Sequence, residues 1–487
     1  MAILKYFDKK AVINSPTKII NQILFFLVLF LFVFIPLYPK FPLINIKGTY
    51  VAIRLEDFFI ALTVIVWGFY LIKLNKVKAI LSDKLIQAIL LFFFAGIVST
   101  FSAIFLTHSV TPHLSILHFL RRVEFIVLLP IVATVLTSRK RFIVVLITLG
   151  TVVLLANLYA LGQQYLEWPV ISTTNSEFSK GLILRLTPGA RVSSTFAGHY
   201  DFAAFLTMAL VIMTATFFAL RKILKLPVII LGTLSLLVLI MTSARISFVA
   251  AFVGIIFSLI LSKKRKYILL ILILLVAILI YPSKLRDRFV STIAVNIFHQ
   301  GQRYEGQTDD QKVRSKLNIP TLAVKTSKDS LATSSFATPS GKTATDITPG
   351  EPIDTTQLGV YRSLQIRLNI EWPRAIRALI KNPFLGTGYS SIDIATDNDF
   401  LRSLGEAGLL GTASLILIFV EVSKRILSGL TRQDKLIRFF SAGVFSMMVA
   451  FIFNGLFIDV FEASKVAALF WMMLGMNLGV QSIKDHD

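Results

Sequence analysis

Guanidinium groups, a flexible turn and closely spaced carboxylates gather in one polar stretch of an otherwise apolar chain. From Arg367 to Gly411 it reads R-L-N-I-E-W-P-R-A-I-R-A-L-I-K-N-P-F-L-G-T-G-Y-S-S-I-D-I-A-T-D-N-D-F-L-R-S-L-G-E-A-G-L-L-G. Arg367, Arg374, Arg377 and Lys381 recur at helical spacing and end at Asn382-Pro383, a helix stop. Gly386 and Gly388 then permit a tight turn, and Asp393, Asp397 and Asp399 follow. Arginine stays charged, and its planar fork donates paired hydrogen bonds to phosphate oxygens. A partly desolvated carboxylate has a raised pKa suited to taking a proton from a hydroxyl. Carboxylates also hold Mg²⁺ or Ca²⁺. Aspartates ahead of a helix more commonly cap it and complement its dipole, as Glu406 would, so neither a metal nor another cofactor is expected.

Two more polar stretches lie upstream. Arg191-Val-Ser-Ser-Thr-Phe-Ala-Gly-His199-Tyr-Asp201 precedes an apolar run, and Thr242-Ser-Ala-Arg245-Ile-Ser247 separates two others. Alone, Arg191 and Arg245 would each snorkel to lipid headgroups, and His199 would cap a helix. Together with the Arg367–Gly411 stretch, they form a set suited to an anionic lipid headgroup.

The elements that must position this set are membrane spans. Of the 487 residues 55% are hydrophobic, 41 are Phe and none is Cys, which excludes disulfides and thiol chemistry. The net charge of +23 collects at the ends of apolar runs, a topology signal rather than a nucleic-acid patch. About twelve runs, from Ile20–Leu37 to Ala463–Val480, approach the length needed to cross a bilayer. Lys73–Lys84, Arg139–Arg141, Arg221–Lys225, Lys263–Lys266 and Lys424–Arg438 fall in alternate loops, and Thr107–Leu114 between them has no Lys or Arg. The positive-inside rule therefore predicts both termini in the cytoplasm, with the first run retained as a span. The expected organisation is a bundle of about nine spans over 1–281, an outer loop over 282–408 and C-terminal spans over 409–487. Within the loop, 308–357 has a disorder-type composition and 358–381 carries a motif helix.

The segments R-L-N-I-E-W-P-R-A, N-P-F-L-G-T-G-Y, D-N-D-F-L-R-S-L-G-E-A-G-L-L-G, R-V-S-S-T-F-A-G-H and T-S-A-R-I-S together resemble the signature regions of the bacterial O-antigen ligase and polymerase family. The resemblance runs from about Arg185 to the C-terminus. It implies an all-α polytopic protein with about twelve spans and a large outer loop before the tenth. It also implies a glycosyltransferase of cell-envelope polysaccharide, or lipopolysaccharide, synthesis. The partners would be an undecaprenyl-diphosphate-linked glycan, a glycan or lipid acceptor and membrane lipids, but no nucleic acid. By matching position, Arg191 and Arg245 would hold the diphosphate, with Arg367 and Arg374 as further candidates and His199, Asn398, Glu406, Gly386 and Gly388 in support. The family's ligases commonly carry His-Asn where this chain has Asp397-Asn398, so Asp397 or Asp399 would replace the histidine as general base. The alternatives are a polymerase of the same family, a transporter or flippase of lipid-linked glycans, and a non-catalytic binder of them.

Overall fold

The computed structural model describes residues 15–46, 49, 52–171, 183–186, 190–290, 367–392 and 395–483. The insertion expected over 308–357, the start of the motif helix and Asp393 lie outside the described residues.

The described chain is all-α apart from one antiparallel pair, β1 (Ile44–Asn45) with β2 (Ala52–Ile53). The helices are α1 (Ser15–Leu37), α2 (Leu55–Lys73), a short α3 (Val77–Leu81), α4 (Lys84–Phe101, with a π-helical extension to Leu106), α5 (Pro112–Val135) and α6 (Arg139–Tyr165). They continue with α7 (His199–Phe217), α8 (Lys222–Met241), α9 (Arg245–Leu261), α10 (Ile268–Ile280) and α11 (Lys284–Val290). A π-helical turn, Arg367–Glu371, leads into α12 (Trp372–Lys381), followed by α13 (Asp399–Ser428), α14 (Lys435–Gly455) and α15 (Ser464–Val480).

Each apolar run marked by hydropathy is helical. Among the described residues eight helices are long and apolar enough to cross a membrane, and the pair Arg265–Ile280 and Lys284–Val290, bent by 89°, makes a ninth when counted as one span. The shorter α9 and α15 are also apolar. The 24-residue α5 carries Arg121, Arg122 and Glu124. Helices satisfy their own backbone groups, which is what the interior of a bilayer demands. The exterior is accordingly greasy: Ile223, Leu226 and Ile230 of α8 and Leu269 and Leu270 of α10 are exposed. The centre is α15, buried along its whole length and packed mainly against α5.

Cross-helix contacts sort the loops into two ends. Arg425 pairs with Asp83 at 2.8 Å and Arg139 pairs with Asp434, so the basic loops share one end. At the other end, Ser109 donates to Thr387 O at 2.7 Å, Thr396 N donates to Asp459 and Arg122 donates to Phe461 O. The polar stretches meet there.

That end is pinned by a buried lysine. The last carbonyls of a helix lack partners within it. Lys465 Nζ donates to Pro36 O and Tyr38 O at the end of α1, and to Thr195 O at 2.7 Å. Thr195 Oγ1 also donates to Pro36 O at 2.5 Å. Lys465→Met removes the shared donor and leaves buried acceptors short of partners. Unfolding free energy in detergent is expected to fall by about 3 kcal/mol or more. An unchanged melting temperature would show that Lys465 does not hold this loop.

A candidate active site at the polar end of the bundle

The loop before α7 is shaped by Gln163, whose amide receives a bond from Ser194 N and donates one to Ser194 O, both at 2.8 Å. This clamp holds Ser194 in the left-handed region, at φ 51°. It brings Arg191 to His199, with Nη1 and Nε2 at 3.0 Å. The α8–α9 turn has the same character, with Ser243 at φ 53°. Arg245 donates to Arg288 O and Arg288 donates to Ser243 O, each at 3.2 Å, so α9 and α11 are interlocked. Arg245 lies within electrostatic reach of Arg288, Tyr200, Arg367 and Arg191. Four guanidinium groups from four parts of the chain thus share one neighbourhood.

Asp397 faces them from the third stretch. The Asp459 carboxylate accepts from Thr396 N at 2.8 Å and from Asn398 N at 3.1 Å, strapping the backbone on both sides of Asp397. Asp397 occupies the tip at φ 48°, a conformation that costs about 1–3 kcal/mol for a non-glycine residue and gathers at functional sites. Arg367 donates to its Oδ2 through Nε at 2.9 Å and Nη2 at 2.6 Å. Burial raises the Asp397 carboxyl, Arg367 opposes that, and Asp459 adds to it. Glu371, on the π turn below, is pushed up to about 7 by burial and then by Asp397, against Arg367.

Asp399 has a different address. It opens α13, whose cap is Asn398: Asn398 Oδ1 accepts from Phe400 N and Leu401 N. The Asp399 carboxylate accepts from Phe461 N at 3.1 Å. It lines a cleft of about 550 Å³, mouth included, with Arg122, Tyr389, Ser403, Glu406 and Trp471. Arg402 stands between Glu406 at 3.4 Å, Glu462 at 3.2 Å and Asp459 at 3.2 Å. Asp459 therefore belongs to both clusters. Burial pushes the Tyr389 hydroxyl up, so it stays neutral.

Hydropathy places the start of this span at Leu409, but the helix begins ten residues earlier and breaks at Gly408, at φ 67°. Pro383–Gly388 lies along the break. Thr387 N and Gly388 N donate to Gly405 O and Glu406 O, and Leu409 N and Leu410 N donate to Pro383 O and Phe384 O. A Cβ on Gly386 or on Gly408 would lie 2.4 Å from backbone atoms across this contact. Both glycines are required by close approach as well as by positive φ. Gly388, at φ 91°, ends the same segment.

Residues 230–416 match a family model described as O-antigen ligase. This is an O-antigen ligase family domain. No curated protein matches the chain. The O-antigen ligase domain spans α8 to the first part of α13 and contains Arg245, Arg288, Arg367 and Asp397, while Arg191, His199 and Asp459 come from outside it. It supports a membrane glycosyltransferase-like function for a multi-pass membrane protein.

Of the residues singled out by sequence, the structure brings together Arg191, His199, Arg245, Arg367 and Asp397. Asp399 and Glu406 belong to the second cluster, where Glu406 accepts from Ser390 N at 3.2 Å rather than complementing a helix end. Arg374 is on α12, and no ion pair or hydrogen bond among the described residues joins it to the Arg245 group; its Nη1 is buried without a hydrogen-bond partner. Sequence reasoning missed Arg288, Asp459, Arg122, Arg402 and Glu371. The available signal for Arg288 was a polar turn directly after an apolar run, the same signal that marked Arg245.

Proposed function

We propose that the protein transfers a glycan from undecaprenyl diphosphate to an acceptor hydroxyl at the outer face of a bacterial cytoplasmic membrane. The reading rests on one observation above all: Arg191, Arg245, Arg288 and Arg367 share a neighbourhood with the raised carboxyl of Asp397. Like charges held close together cost free energy, and an anionic ligand removes that cost.

In the proposed reaction the acceptor oxygen forms a bond to the anomeric carbon as the bond from that carbon to the diphosphate breaks. The electron pair leaves with the diphosphate, and the guanidinium groups stabilise the developing charge. Asp397 takes the acceptor's proton. Arg367 exchanges Asp397 for the diphosphate as donor binds, which frees the carboxylate to act as base. No metal or cofactor takes part in this scheme. An O-antigen ligase would use a lipid A-core hydroxyl and a polymerase a hydroxyl of a second lipid-linked glycan; both acceptors need the same chemistry.

The test is reconstitution with an undecaprenyl-diphosphate glycan and acceptors of both kinds, following release of free undecaprenyl diphosphate. Release that depends on acceptor is expected; its absence with every acceptor ends the reading. The Glu371 carboxyl, pushed up to about 7, is mostly neutral below that pH and anionic above it. Donor affinity is expected to fall about fivefold as pH rises through 7, roughly 1 kcal/mol from one added negative charge near the arginines. In Glu371→Gln that dependence should vanish, and a profile identical to wild type would remove Glu371 from the site.

A further inference from the structure

The helix α12 is ten residues long, about 15 Å, half of what a span requires. Its faces are sharply divided. Arg377 and Lys381 are exposed on one side with the half-buried Arg374 beside them, no acidic residue lies between Trp372 and Lys381, and Trp372, Ile376, Leu379 and Ile380 form the other side. Packing uses only part of the apolar side, half-burying Trp372 and Leu379. The helix rests on α13 through alanines: Ala375 O and Ala378 Cβ lie 3.0 and 3.3 Å from where a Cβ of Gly405 would be. Ile376 and Ile380 are left 44% and 70% exposed, and Phe384, just beyond the helix, 71%.

Depth in the membrane is fixed by the backbone. Leu409 N donates to Pro383 O at 2.8 Å and Leu410 N to Phe384 O at 3.1 Å. Phe384 is therefore level with Leu409 and Leu410, the exposed residues at which the apolar half of α13 begins. Through Phe384, the exposed side of α12 adjoins the exposed apolar residues Leu409 and Leu410 of α13. A helix at that level satisfies both faces only by lying in the membrane plane, apolar side down and cations at the headgroups.

We propose that α12 is an interfacial helix that docks on anionic phospholipid headgroups, with Ile376, Ile380 and Phe384 inserted among the acyl chains. The inference uses the fold alone and does not depend on the proposed transferase activity. The chain has no cysteine, so single labels are clean. Ile380→Cys, Arg377→Cys and Leu410→Cys, each carrying an environment-sensitive fluorophore, would be reconstituted in phosphatidylcholine with or without phosphatidylglycerol. Quenching by shallow spin-labelled lipid would be compared with quenching by aqueous iodide, and Leu410→Cys reports on correct insertion.

The label at 380 is expected to be quenched at least about threefold more by lipid than by iodide, and the label at 377 the reverse. Phosphatidylglycerol should increase lipid quenching at 380, and Arg377→Gln with Lys381→Gln should cancel that increase. Three results would overturn the proposal: iodide reaching 380 as freely as 377, neither quencher reaching 380 because protein covers it, or quenching indifferent to phosphatidylglycerol.

Discussion

Arg245→Ala is expected to slow release of undecaprenyl diphosphate by about 10²–10³-fold, the usual effect of removing one preorganised donor from a developing anion. The stability change should have the opposite sign. Arg245 is pressed among Arg288, Arg191 and Arg367, and deleting one of several like charges relieves repulsion in the empty protein. Arg245 also donates a hydrogen bond to Arg288 O at 3.2 Å, and a single such bond contributes about 1.5–3 kcal/mol. Turnover and melting temperature measured on the same preparation separate the cases. Activity lost at unchanged or higher melting temperature supports diphosphate binding, whereas both falling together makes Arg245 a brace for the turn between α8 and α9.

Asp397→Asn should be nearly as damaging to turnover, by about 10²–10⁴-fold, the range of a lost general base. The substitution is mild in every other respect. Asparagine tolerates the left-handed backbone of position 397, and its amide oxygen can still accept from Arg367. With the carboxylate charge gone, Arg367 is freer to meet the diphosphate, so donor binding should hold or tighten. Because burial raises the Asp397 carboxyl, wild-type turnover should climb with pH as that group loses its proton, and the variant should lack this acid limb. Turnover and donor binding measured side by side decide the role. Collapse of binding would make Asp397 a structural support of the turn.

The spans and the three polar stretches were legible because both signals are local. An apolar run declares itself by length, and a cation at the end of such a run is conspicuous by type. The difference between Asp397 and Asp399 was not legible. Two residues apart, they look interchangeable in sequence, yet one sits at the tip of a turn facing arginines and the other is drawn under the loop by Phe461 N. What separates them is Asp459, some sixty residues downstream, which fixes the turn from both sides; no local pattern carries that information. The start of α13 was misplaced for a related reason. Asn398 followed by Asp-Phe-Leu-Arg-Ser-Leu-Gly-Glu-Ala is a capped amphipathic turn sequence, but a search for uninterrupted apolar length begins only at Leu409. Glu406 then seemed to precede a helix that in fact already contains it.

The broken helix has a bearing on how this protein can be recombined with others. Four backbone bonds tie Pro383, Phe384, Thr387 and Gly388 to Gly405, Glu406, Leu409 and Leu410, so the ruptured span is splinted by chain that precedes it by some twenty residues. Splint and span form a single cassette. A chimera spliced before Asn382 and after Gly411 transplants both together, whereas a junction inside that interval obliges a foreign splint to match amides and carbonyls at bilayer depth, where water is not at hand to substitute.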